Sequence, residues 1–571
     1  MNENPTVEVH KLQPITKFIY TLGVLPTSYL MTMTYQEQVT WLCNFIQQTV
    51  IPAINDDVEA VQELQQLYID LQDYVNNYFD NLDVTTEINN RLDAMLEDGT
   101  FQTLVDNYAQ PILSDLTEDV EEAVQDVNTL VQSVETPMEE IRKEFYNDYV
   151  PFEFPVTMSS FFNKLQLYRS SDKQNYKFNL TKDDLPFVTY NLKYVDNVNG
   201  SDTNDGSSKA QAYKTLSHGI DIMNAHTTFI ICNNVLYRND LPKSNTAFNY
   251  DVNIKPENEH CIFGVYDALS WTQDGTYTNI YYATRSNISK GIDIRGNKNG
   301  VYSLLTPVVS IQECADTLNS YYTSGNTVYC NIGEAVTNEK VLFPLNIGYS
   351  PCIIKNSSKQ IHVYFENIDF LCGDHSYFNI EVDSGYSPEL RLYNCKLLFN
   401  SSTSDDGISL KGAKGIFMNC VADRNKKDGF NYHASSGTAS YGIEINCIGS
   451  NNGFNASDNY NNGSTAHDGS QVVRINGNYF RNKGGNVTDV NNETTTININ
   501  CNAFDSISSL EDGTNTDFCA QQEDTNMYLY NCYCKGSNSY YNLYATQSGA
   551  YVYYNNTEFD TSHGNGVIEI L

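Results

Sequence analysis

From about residue 361 the chain alternates apolar and polar positions in short runs that end on one recurring corner. The runs read IHVYFEN (to Asn367), LRLYNC (to Cys395), GIFMNC (to Cys420), GIEINC (to Cys447), VVRING (to Gly477), TININC (to Cys501) and MYLYNC (to Cys532). The corner asparagines Asn367, Asn394, Asn419, Asn446, Asn476, Asn500 and Asn531 follow one another at 27, 25, 27, 30, 24 and 31 residues. A period in this range marks a solenoid or a propeller. Each repeat holds strands and turns with no helical stretch, which predicts one coil of a right-handed parallel β-helix. Asparagines at equal positions can hydrogen-bond along the axis, with the small Cys beside each lining the interior. Evenly spaced strands would also suit a β-sandwich, but a sandwich does not explain why the same Asn-Cys corner returns.

The N-terminal quarter has a different period. Val61, Leu64, Tyr68, Leu71, Val75, Tyr78 and Leu82 follow a 3-4 spacing, as do Val120, Ala123, Val127, Leu130 and Val134. Sustained heptads predict a coiled-coil stalk over residues 34–155, broken at Asp98-Gly99. A stalk so narrow in apolar surface needs copies of itself, so a homotrimer is expected, its three β-helices packed side by side to cover their apolar faces. Residues 1–33 are apolar without periodicity and read as a segment that docks on a partner. Residues 156–190 form a connector of mixed strands. A β-helix then spans residues 191–571, opening with YVDNVNGSDTNDGSS and a short amphipathic helix from Thr215 to Met223 that would cap the open end of the core.

Charge sharpens this division. The chain of 571 residues carries a net charge of −36. Residues 1–155 hold 5 Lys+Arg against 28 Asp+Glu, whereas residues 406–490 hold 8 against 7. Such acidity excludes nucleic acid as a partner, since phosphate neutralisation drives that binding. The near-neutral island can still hold an anionic polymer locally. The fourteen cysteines follow the coils rather than a zinc spacing and read as buried reduced thiols. The N-terminus lacks the pattern of a secretory signal and no apolar run is long enough to span a bilayer.

Candidate chemistry gathers in the island. Aligning Asp406-Gly407, Asp428-Gly429, Asn452-Gly453 and Gly484-Gly485 as the openings of successive second strands stacks His433, Asp458 and Asp489 in one outward stripe, roughly 10 Å long at one strand spacing per coil. A long loop leaving Asn452 carries Ser464-Thr-Ala-His467-Asp468-Gly469. Arg424, Arg474 and Arg481 flank the same coils and can grip a phosphate through forked hydrogen bonds. The set to test is therefore His467, Asp468, Asp428, His433, Asp458 and Asp489 for proton transfer, with the three arginines for substrate. His467 is the expected proton carrier, at an ordinary imidazole pKa near ~6.5. Asp406 reads as a turn residue, and alternation leaves the face of Glu444 open. Loops such as NASDNYNNGS offer calcium oxygen ligands without EF-hand spacing. A divalent cation, calcium, is thus the cofactor these loops could take.

These residues carry a resemblance. YVDNVNGSDTNDGSS with its capping helix resembles the start of the pectate-lyase-like β-helices of phage tailspikes. DGFNYH (Asp428–His433) and STAHDGSQVVRINGNYFRNKGGNVTDVN (Ser464–Asn491) resemble the teichoic-acid-degrading appendages of short-tailed phages of Gram-positive bacteria. LPTSYLMTMTYQEQVTWLCNF, residues 25–45, is similar to the virion-attachment ends of tail fibres. The resemblance implies a trimeric virion appendage, made in the host cytoplasm and attached to neck, portal or tail proteins through its N-terminus. Such a spike binds a cell-wall glycopolymer such as wall teichoic acid and degrades it. The alternative within the same fold is an adhesin that binds without cutting.

Overall fold

The computed structural model describes residues 149–571 apart from 188–190, 243–247, 249, 297–299, 347–351, 356–360, 372–377, 383–385, 402–405, 455 and 508–514. The docking segment and the heptads lie outside the described residues. From residue 191 the chain winds into a parallel β-helix. Three long sheets, here A, B and C, contain twelve, nine and eight strands, and successive coils pair in parallel and in register. One coil runs from a sheet-A strand (Lys414–Met418) through a corner to sheet C (Val421–Asp423), turns into sheet B (Phe430–His433), and returns to sheet A at Tyr441–Ile445.

The recurring asparagine makes the A-to-C corner. Asn367, Asn394, Asn419, Asn446, Asn476, Asn500 and Asn531 all have φ between 51° and 56°, a left-handed conformation that Asn adopts at low cost. Their amides form a column: Asn394 Nδ2 donates to Asn367 Oδ1 (2.8 Å), Asn446 to Asn419 (2.9 Å), Asn476 to Asn446 (3.0 Å) and Asn500 to Asn476 (3.1 Å). The adjoining thiols of Cys395, Cys420, Cys447, Cys501 and Cys532 turn inward, buried and unoxidised. A second column, fully buried, closes the C-to-B corner. There Asn425 donates to Asn452 (3.1 Å), Asn452 to Asn482 and Asn482 to Asn486 (both 3.0 Å), and each amide also reaches a backbone carbonyl.

The helix expected over Thr215–Met223 runs from Leu216 to Ile222, with Thr215 Oγ1 accepting the His218 amide as its cap. Leu216 and Ile220 pack into the same core as Val195 and Phe229, covering that end of the solenoid. Two departures from the sequence reading matter. Tyr149–Pro151 is not helical but a strand, antiparallel to Leu167–Ser170, because Pro151 and Pro155 do not continue a helix. Residues 152–187 are also more than a connector. They strap the outer face of sheet A, burying Phe161, Phe162, Leu165 and Leu185 against Ile416, Ile443, Val473, Ile497 and Tyr530. Lys164 is held by Glu389 and Lys182 by Glu366. The chain itself therefore covers an apolar face that side-by-side packing of three solenoids was expected to cover.

Around residue 475 the apolar core of the coils is interrupted by charge. Arg474 and Asp489 form a two-pronged pair (2.9 and 3.2 Å), and Glu444 Oε1 lies 3.7 Å from Arg474 Nε, all three at 0% exposure. Tyr432, Ser464 and Tyr479 donate to Glu444, while Thr496 and the Ala466 amide donate to Asp489. One apolar cluster ends at Val472 on one side of this set and another begins at Tyr479 on the other. Every charged oxygen has donors, so the pair is tolerated where a lone ion would not be.

Removing one partner should expose that cost. Arg474→Met leaves two buried carboxylates, and breaking such a pair costs about 3–5 kcal/mol. Burial already raises the Glu444 pKa. A carboxyl whose folded pKa is raised is stabilising when protonated and loses that contribution as pH rises. The denaturant midpoint of Arg474→Met should therefore fall below wild type by an amount that grows between pH 5 and pH 8. An unchanged midpoint across that range would contradict the buried network.

Candidate active site

The outer face of sheet B collects the chemistry. Its strands Ile408–Lys411, Phe430–His433, Ser464–His467 and Val487–Val490 pair in parallel. Phe430 and Tyr432 point into the core, so Asn431 and His433 point out. Asn431 pairs with Ser409 on one side and Thr465 on the other. His433 and His467 fall on the next rung and stack, with centroids 4.2 Å apart and planes 11° from parallel. His467 thus lies at the end of a strand, where S-T-A-H alternates in and out, rather than in the loop the sequence suggested.

Each imidazole has a partner. His433 Nδ1 lies 3.0 Å from Asp468 Oδ2, and His467 Nε2 lies 2.9 Å from Thr465 Oγ1. Asp468 reaches back because its backbone turns left-handed (φ 58°) with its amide on Asn491 Oδ1. Burial, and then the neighbouring His433, push His467 down to about 3, although the ring keeps some exposure to solvent. His467 is therefore neutral near pH 7. The expectation that it carries the proton passes to His433, whose side chain is 31% exposed and oriented by a carboxylate.

Beside the imidazoles stands a pair of carboxyls. Asn431 Nδ2 donates to both Asp406 Oδ2 (2.9 Å) and Asp428 Oδ2 (3.2 Å). Asp428 Oδ1 accepts the backbone and side-chain amides of Asn462. Both carboxyls are buried, at 6% and 7% exposure. Desolvation raises the pKa of each, and the Asp406 charge adds to the rise at Asp428. Two carboxyls so placed cannot both ionise readily. His433 is close enough to act electrostatically on Asp406. Asn431 Oδ1, buried in the same spot, has no hydrogen-bond partner among the described residues.

The glycines after these residues explain the pairing. A Cβ on Gly407 would sit 2.6 Å from the Gly429 carbonyl oxygen, one on Gly429 2.5 Å from that of Gly463, and one on Gly463 2.8 Å from that of Asn486. Coils approach too closely here for any side chain. The close-approach column is thus Gly407, Gly429, Gly463 and Asn486, with Asp406, Asp428 and Asn462 one position before it. Gly453 does not belong to it, because Asn452 is a member of the buried asparagine column and the intervening loop is an insertion.

Five of the residues expected at the site lie elsewhere. Asp489 pairs with Ala466 rather than with a histidine, one position out of register, and a one-residue slip turns a side chain to the opposite face. It lies inside the solenoid with Arg474, and neither can meet a substrate. Asp458 belongs to the inserted loop, bound to Lys427 (3.0 Å) and Asn461 (2.6 Å). Arg424 is paired with Asp423 (2.6 Å) and stacked over Phe399 on the sheet-C side. Arg481 is exposed at the equivalent corner. Neither Arg474 nor Arg424 thus turns a fork toward the imidazoles. Among the described residues no three His, Cys, Asp or Glu side chains gather as a metal cradle.

No family profile matches the sequence, and no curated protein matches it. Solved structures similar to it include a glycoside hydrolase (TM-score 0.40, 10% identity, covering 66% of this chain and 96% of that one) and the pectate lyase Pel9A (0.29, 16%, 66% and 80%). Another is the tailspike gp49 of Acinetobacter baumannii bacteriophage Fri1, a capsular polysaccharide depolymerase (0.28, 11%, 74% and 69%). Scores this low carry no argument about chemistry; the fold rests on the strand pairing described above.

Histidine NMR tests the assignment of the proton carrier. The His467 ring signals should stay at their neutral positions between pH 5 and pH 8. A His467 titration centred near pH 6.5 would contradict the site as described.

Proposed function

We propose that the protein cleaves a glycosidic bond in a cell-surface polysaccharide. The observation that carries this reading is the buried Asp406–Asp428 pair, joined through Asn431 and set beside an Asp468-oriented His433. The pair gives its proton to the departing glycosidic oxygen as the C–O bond breaks. Water adds to the anomeric carbon and passes a proton to His433. Adjacent coils hold the two carboxyls about one strand spacing, ~4.8 Å, apart, closer than the ~6.5–9.5 Å that admits water between an inverting pair. The water must therefore approach from the imidazole side. Neutral His467, held by Thr465 and partly exposed, lies where a sugar hydroxyl would meet it.

The finer reading is a homotrimeric virion appendage that docks through residues 1–33 and degrades wall teichoic acid of a Gram-positive host. The heptads and the quoted sequence resemblances support it. Arg474 is buried and Arg424 engaged, which leaves Lys411, paired with His433, as the cation on this face among the described residues. One lysine beside two protonatable carboxyls suits a sugar linkage better than a phosphodiester, so we place the cut there.

Purified wall teichoic acid should yield new reducing ends and no new phosphomonoester on incubation with the protein. Asp428→Asn and His433→Ala should each lower that rate by roughly 10²–10⁴ while thermal unfolding stays near wild type. Cleavage at an undiminished rate in both variants would overturn the site. Release of phosphomonoester would restore the phosphodiester reading, and tight binding without any product would make the protein an adhesin.

A further inference from the structure

The same outer face continues past the candidate site. On sheet B, Thr465 pairs with Thr488, Thr488 with Cys519, and Cys519 with Tyr544. Tyr544 in turn pairs with His563. The outward residues just beyond the imidazoles are short: Thr488 and Cys519 are buried flush with the sheet, and Val490 is 8% exposed. Among the described residues the one long side chain on these rungs is Gln521, partly exposed beside Val490.

Those aromatics are ordered together. Tyr541 lies near-parallel to Tyr544 (5.0 Å, 21°) and to His563 (4.7 Å, 15°), and Tyr544 to His563 (6.0 Å, 8°). Tyr540 packs edge-on against Tyr541 (4.5 Å, 62°) and is itself 52% exposed. His563 is exposed, and Tyr541 and Tyr544 are partly so. Rings held this way in solvent lose little freedom on binding. They combine apolar surface with hydroxyl and imidazole groups at the rim, the combination a pyranose ring needs.

We propose that Tyr540, Tyr541, Tyr544 and His563 form a distal sugar-binding platform for the polymer cut at Asp406, Asp428 and His433. The proposal rests on the reading of that site as glycan-cleaving. It assigns the platform one occupant, an uncharged sugar residue of the same chain. From the Thr465 rung the platform is three coils away, roughly 14 Å at ~4.8 Å per coil. A polymer lying along the solenoid axis would reach both at once, so the two weak sites would act as one tighter one.

The test measures binding apart from cleavage. Asp428→Asn protein is titrated with purified glycosylated wall teichoic acid in affinity electrophoresis, with and without Tyr541→Ala/Tyr544→Ala. A Tyr540→Ala/His563→Ala pair, altering more exposed rings, serves if the first pair unfolds. Retention should weaken by about tenfold, in line with the loss of aromatic stacking, while light scattering reports an unchanged oligomeric state. Retention within twofold of the Asp428→Asn parent overturns the platform. A changed oligomeric state with retained binding also overturns it, since the rings would then belong to an interface between copies. If wild type cleaves nothing and binding still depends on the tyrosines, the cleavage reading fails and the platform stands.

Discussion

The left-handed asparagine corner is the constraint on which the rest depends. At each A-to-C corner the backbone must reverse its twist within one residue, and Asn does so while keeping its side-chain amide in line with the next coil. The amide column then fixes coil on coil, with Asn446, Asn476 and Asn500 each donating to the residue one turn earlier. Because side chains alternate between faces, a fixed register decides which residues meet solvent. It sends His433 and His467 outward together, and it sends Arg474 and Asp489 inward. The candidate site and the buried ion pair are two outcomes of one register.

That register also decides the chemistry. A phosphate-gripping site needs cations with free donors at the surface. Here Arg474 spends its guanidinium on Asp489, Ser464 and Asn498, and Arg424 engages Asp423. Beside the imidazoles stand a pair of desolvated carboxyls with raised pKa values and, among the described residues, the single cation of Lys411. The carboxyls and the imidazole can pass protons to a glycosidic oxygen and from water. The charge island of the sequence is real, but much of its charge is consumed in holding the coils together.

Periodic features were legible in the sequence and aperiodic ones were not. The Asn-Cys corner, the inward thiols and the capping helix follow from patterns that local physics enforces coil by coil. His433, Asp428 and His467 were also visible, because polar residues recur beside Asp-Gly turns. Asp489 was misplaced because Gly485 offered a false alignment point; the relevant column runs through Gly463 to Asn486, and an insertion in one coil hid it. Asp406 passed for a turn residue, since nothing local reveals that a residue one coil away shares its amide donor. The strap of residues 152–187 was hidden for a similar reason. Phe161 and Leu185 show no period of their own and find their partners, Tyr441 and Ile416 among them, hundreds of residues later.

The most direct test is a crystal structure of the Asp428→Asn variant soaked with oligosaccharide fragments of wall teichoic acid. The account predicts a sugar ring on the outer face of sheet B, with hydroxyls near Asn431 and its scissile linkage between the Asp406 carboxyl and His433. A sugar ordered only on the faces of sheets A or C, with water alone beside His433, would contradict it.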